Sequence, residues 1–195
     1  MRVVLAIAML FIAPSLAFAH TGHGEASGFI HGLEHPIGGL DHVLAMLVVG
    51  IFAFVLGGRA LWAVPLSFVG MMLAGFALGL SGSSLPFVEL GIALSSIVIG
   101  AIAASKSRMP TVAATALVGV FAVFHGFAHG AEMPASASGV SYAAGFAFST
   151  ATLHVFGIAA SLLVASGSRK HGQAVARVAA GCFAIGGLGV LAGWL

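Results

Sequence analysis

Charge is almost missing from this sequence. Of its 195 residues only 6% are charged, while 60% are hydrophobic. A soluble domain carries about 25% charged residues, and a water-facing surface cannot be built from so few. Cysteine is nearly absent too. Cys182 stands alone in an apolar run, which excludes an internal disulfide and argues against a thiolate metal site. There is no G-x-x-x-x-G-K-[ST] phosphate loop, so the chain does not hydrolyse ATP by itself. No methionine ladder of the kind that holds Cu(I) is present, and no polar stretch is long enough to form a soluble domain. The net charge of +2 says little about partners, and no nucleic-acid partner is expected. Carboxylates number five against nine histidines, an odd balance for so apolar a chain.

What the sequence does have is long hydrophobic runs. The first follows Arg2, covers residues 3–13 and ends at Ala17-Phe18-Ala19, a small-x-small cleavage site. Residues 1–19 therefore read as a signal peptide and 20–195 as a single integral membrane domain. His20 becomes the mature N-terminus outside the cytoplasm. Crossing a bilayer takes about 20 apolar residues. Six runs qualify: 36–56, 61–80, 86–104, 111–129, 142–165 and 174–195. The fold class expected is all-α, a polytopic membrane bundle of six transmembrane helices. Gly75/Gly79 and Gly189/Gly193 are G-x-x-x-G pairs suited to close helix packing in lipid.

The charges agree with this plan. With the mature N-terminus outside, Arg59, Lys106, Arg108, Arg169, Lys170 and Arg177 all fall at cytoplasmic connections. That is the pattern of the positive-inside rule. Glu25, Glu34, Asp41, Glu89 and Glu132 fall on or near the other side. The expected location is the bacterial inner membrane.

Two clusters carry the chemistry. The first is His31-Gly32-Leu33-Glu34-His35-Pro36-Ile37-Gly38-Gly39-Leu40-Asp41-His42. Pro36 suits the first turn of the first span. Asp41 and His42 would then sit about 8 Å along the axis. An Asp at membrane depth costs about 2.5–3.5 kcal/mol at mid-helix and calls for a partner or ligand. His35 and His42 share a helical face but lie about 10 Å apart on a straight helix, too far to share one ion. Pro36, Gly38 and Gly39 allow the backbone to unwind and bring His35 back. A structural Asp–His hydrogen bond is the plainer alternative.

The second cluster is Phe124-His125-Gly126-Phe127-Ala128-His129-Gly130-Ala131-Glu132, where His125, His129 and Glu132 form one helical stripe. Two imidazoles one turn apart can chelate one ion. A polar helix end satisfied by water is the alternative. Both clusters contain His-Gly-x-x-His. Glu89 heads the third span, and His154 lies near the middle of the fifth with Thr150 one turn before it. A lone histidine at that depth is either part of an ion path or bonded to a neighbouring carbonyl. His20 and His23 read as an exposed pair able to collect metal, and His171 as a loop residue. Imidazole with carboxylate suits Ni²⁺, Co²⁺, Zn²⁺ and Cu²⁺. Oxygen-only sites for Mg²⁺ or Ca²⁺ would not need so many histidines. The candidate metal ligands are thus His31, His35, Asp41, His42, Glu89, His125, His129, Glu132 and His154.

At these residues the chain resembles the HupE/UreJ family of nickel and cobalt permeases. The family pattern H-P-x-x-G-x-D-H is met by His35 to His42, and F-H-G-x-A-H-G-x-E by Phe124 to Glu132. The resemblance covers nearly the whole chain. It implies uptake of nickel or cobalt for metalloenzymes such as hydrogenase and urease, or for cobalamin. It also implies roles for His35, Asp41, His42, His129, Glu132 and Glu89. On this reading the ion is cargo, no prosthetic cofactor is expected, and the protein is not an enzyme. A homo-oligomer, and hand-off of the ion to metallochaperones for hydrogenase or urease, are compatible with it. Two other classes remain open: an intramembrane zinc-dependent hydrolase, and a metal-sensing accessory subunit of the membrane.

Overall fold

The fold is described by a computed structural model covering residues 25–105, 109–134 and 137–194. Seven helices make up nearly all of it: α1 (Glu25–Gly38), α2 (Leu40–Leu56), α3 (Ala60–Leu80), α4 (Val88–Ala104), α5 (Thr111–Ala131), α6 (Gly139–Ala165) and α7 (Arg169–Leu191). No strand occurs among the described residues. The expected signal peptide, His20, His23, Lys106 and Arg108 lie outside them.

Four helices are long and apolar enough to cross a membrane: Ala60–Leu80, Thr111–Ala131, Gly139–Ala165 and Lys170–Leu191. Gly28–Gly38 and Leu40–Leu56 form a pair bent by 85°, a broken span or a re-entrant loop. Val88–Ala104 is apolar but shorter. Its 17 residues rise about 26 Å at 1.5 Å each, against a hydrocarbon core of about 30 Å. Each of the six expected apolar runs therefore contains a helix among the described residues. The first differs from expectation: Pro36 closes α1 instead of opening α2, and the chain breaks at Gly39. In the last turn of α1 the missing proline N–H interrupts the helical ladder where it is about to end. The last helix starts earlier than expected, because Ser168 caps it by accepting from the His171 N–H. His171 thus sits in a first helical turn, not in a loop.

Helix α2 is the hub and packs against each of the other six helices. Its residues from Leu44 to Phe54 are nearly all buried. Around it, backbones approach closely at glycines. A Cβ on Gly126 of α5 would collide with the Met72 carbonyl of α3, and one on Gly75 with the Val123 carbonyl of α5. Gly32 and Gly145 do the same between α1 and α6, and Gly50 and Gly157 between α2 and α6. Small residues make such contacts possible where lipid gives no hydrophobic drive between helices. Of the expected pairs, Gly75/Gly79 packs in this way. Gly193 lies beyond α7 at φ +69 and takes no part. The outward surface carries Trp62, Leu66, Val120, Phe156, Leu163 and Val178. This apolar exterior suits a lipid solvent.

Candidate metal site

Helix α1 ends and α2 begins around Gly39, whose backbone is extended (φ −109, ψ 126). A Cβ there would lie 2.6 Å from Asp41 Oδ1 and 3.1 Å from His42 Nδ1. Glycine therefore leaves the space in which these two side chains pair. Asp41 stands in the first turn of α2, where the helix dipole favours a negative charge. Its Oδ1 lies 3.0 Å from His42 Nδ1. An ionised carboxylate only accepts, so His42 donates through Nδ1 and keeps its lone pair on Nε2. That Nε2 is buried and has no hydrogen-bond partner.

The break brings the first cluster onto the second. The ring centroids of His35 and His129 are 4.5 Å apart, those of His42 and His129 4.7 Å, and those of His42 and His125 5.0 Å. His129 is thus flanked by His35 and His42 of the first cluster, and its ring also meets Phe146 at 4.0 Å. Both His129 nitrogens are buried without a partner. His35 Nε2 lies 3.6 Å from Glu132 Oε2, which closes the contact between α1 and the end of α5.

Above these rings opens a cavity of about 470 Å³. His31, Glu34, His35, Asp41, His42, Glu89 and Glu132 line it, with Gly38, Gly39, Ile92 and Ala128. Four of the chain's five acids face it, and no lysine or arginine lines it among the described residues. Such a lining favours cations. Burial rises steeply inward. His35 and Glu132 side chains are 40% and 58% exposed, whereas His129 is 1% exposed and His125 is fully buried.

The structure therefore brings together His31, His35, Asp41, His42, Glu89 and Glu132 around one cavity, with His125 and His129 behind it. His154 lies apart from the cavity lining. It meets the ring of Phe68 at 5.1 Å, and Phe68 meets His125 at 5.5 Å, so one phenyl ring touches both histidines. His154 is fully buried and neither ring nitrogen has a partner, so the carbonyl bond weighed as the alternative is not made. Among the described residues, no three His, Cys, Asp or Glu side chains converge on one point in this state. The free imidazole nitrogens can accept a divalent ion after ring rotation.

Two polar residues at the site went unnoticed in the sequence. Ser95 of α4 bonds His125 at 2.9 Å. Tyr142 of α6, stacked on Phe76 and edge-on to His35, has a buried hydroxyl without a partner. Ser95 lies in a small-residue run that reads as packing, and Tyr142 opens a span where an aromatic is ordinary. Neither carried a distinguishing pattern.

Comparison with known proteins gives the family. The family model described as HupE / UreJ protein matches residues 7–190. Protein HupE of Rhizobium leguminosarum bv. viciae is 46% identical over 180 residues, which cover 92% of each chain. No solved structure matches the chain. A match over nearly the full length, together with this level of identity, places the chain in the HupE/UreJ family.

Proposed function

We propose that this protein imports a divalent transition metal ion, nickel or cobalt first, across the bacterial inner membrane without an ATPase of its own. It would do so as six spans following a cleaved signal peptide, with the mature N-terminus in the periplasm. The observation that carries the reading is the inward series of donors. Carboxylates and exposed imidazoles stand at the mouth, and unpartnered imidazoles lie buried behind it. Glu34, Glu89, Glu132, His31 and His35 first replace part of the hydration shell. The ion then passes to His42, held by Asp41, and to His125 and His129, with His154 beyond Phe68. Imidazole donors favour late first-row ions over Mg²⁺ and Ca²⁺, which prefer oxygen. Each site must bind strongly enough to dehydrate the ion and weakly enough to release it. A membrane potential that is negative inside favours cation entry.

The test is uptake of radiolabelled nickel by proteoliposomes, with unlabelled cobalt, zinc and magnesium as competitors. Expected is saturable uptake that cobalt inhibits and magnesium does not. Absence of uptake by well-folded, correctly oriented protein would sink the reading. Orientation is tested separately by cysteines placed in the 81–85 and 133–140 connections. These should react with impermeant reagents from outside, and labels near Arg59 and Lys170 should not.

A further inference from the structure

Ser95 controls which nitrogen of His125 is free. Its hydroxyl is buried in α4 and makes two contacts. It donates to the Ile92 carbonyl at 2.6 Å, and its Oγ lies 2.9 Å from His125 Nε2. A hydroxyl carries one hydrogen. With that hydrogen committed to Ile92, the oxygen can only accept from the imidazole. His125 is then the Nε2–H tautomer, and its lone pair stands on Nδ1, which is buried and unpartnered. Asp41 has the complementary effect on His42, whose lone pair is left on Nε2. The two rings, 5.0 Å apart, thus each carry one assigned lone pair.

The spacing fits shared ligation. Metal–imidazole bonds of about 2.0–2.1 Å place a ring centroid about 3.2 Å from the ion. Two imidazoles on one ion then have centroids about 4.5 Å apart at a right angle and about 5.2 Å apart at a tetrahedral angle. The His42–His125 and His42–His129 separations of 5.0 and 4.7 Å fall in that interval. The rings now meet edge to face, and turning about their Cβ–Cγ bonds is what remains for their lone pairs to converge.

We infer that Ser95 is a positioning residue for metal transfer, fixing His125 as the Nε2–H tautomer so that His125 Nδ1 and His42 Nε2 bind one ion together. The inference rests on the transport reading. A ligating histidine commonly donates its other N–H to an oxygen, and losing that partner costs about 10–100-fold in metal affinity. Here the oxygen is a serine hydroxyl whose own hydrogen is tied to the backbone of α4. The tautomer therefore depends on the register between α4 and α5.

Full-length protein in nanodiscs, labelled with ¹⁵N at the imidazoles, tests this through a long-range ¹H–¹⁵N spectrum, with His125→Ala to assign the signal. Wild type should show the Nε2–H pattern for His125 without added metal. Ser95→Ala should lose it, and Ser95→Thr, which keeps the hydroxyl, should retain it. Titration with Co²⁺ should show affinity lowered about 10–100-fold in Ser95→Ala and restored in Ser95→Thr. An Nδ1–H pattern in wild type, or an unchanged tautomer and Co²⁺ affinity in Ser95→Ala, overturns the role of Ser95. If wild type binds neither Co²⁺ nor Ni²⁺, the transport reading itself fails, so the two failures are distinguishable.

Discussion

The two His-Gly-x-x-His segments share a pattern and differ in surroundings. In α1, His31 and His35 are exposed on a helix that ends at a break. In α5, His125 and His129 are buried within an unbroken span. The glycine has the same task in both. Gly32 lies on the Tyr142 carbonyl and Gly126 on the Met72 carbonyl, each seating its helix against a neighbour. The pattern therefore sets a face and a close approach, while depth decides what the imidazoles can do. On the transport reading, those in α1 would meet hydrated ions and those in α5 ions that have already lost water.

The strongest way to break this contrast is to remove one of its buried rings. His129→Ala should lower uptake by more than about 100-fold, beyond the about 10–100-fold expected of an outer partner. Uptake within a few-fold of wild type, at matched membrane levels, would mean that the buried pair is not on the path. Asp41→Asn comes next. The amide can still orient His42, but without the full charge, and the expected loss is about 10–100-fold, measured as initial uptake rate.

The glycines test whether the shared packing role holds. Gly126→Ala and Gly32→Ala should each cost about 1–3 kcal/mol through overpacking. The readout is thermal stability in detergent. A neutral Gly32→Ala would show that only the α5 copy is clamped.

External pH separates the exposed pair from the acids beside it. Protons and metal compete for the same imidazole nitrogen, whose free-solution pKa is about 6.5. Only the neutral ring ligates, so affinity is lost as external pH falls. Between about pH 7.5 and 5.5 the apparent affinity should drop. A flat profile would assign capture to Glu34, Glu89 and Glu132 instead. The smallest effect belongs to His31→Ala. As an exposed rim residue it should change stability by no more than about 0.5 kcal/mol and uptake by about twofold. A loss as large as that of His129→Ala would erase the contrast.

Much of this was legible in the sequence. Apolar runs fix where helices form, and the spacing of His125, His129 and Glu132 fixes their common face. The need for His35 to return toward His42 follows from helix rise, and Pro36-Ile37-Gly38-Gly39 marked where the chain would give way. Partners were less legible. Periodicity says which side of a helix is special but not what it faces, so α1 as a separate helix against α6 was not foreseen. The break fell at Gly39 instead of before Pro36, because a proline is tolerated in a final turn as well as in a first one. Ser95 was invisible for a sharper reason. Its importance lies in the direction of one hydrogen, set by the Ile92 carbonyl, and no residue pattern encodes that.

Helix α2 touches every other helix, and this has a mechanical consequence. A rod gripped on all sides cannot tilt unless its whole surroundings tilt with it. His42, in its first turn, is therefore mounted on an element that every other helix holds. His35 sits across an 85° elbow, on a helix whose packing is chiefly against α6. On the transport reading, an ion shared between them would be held across that elbow.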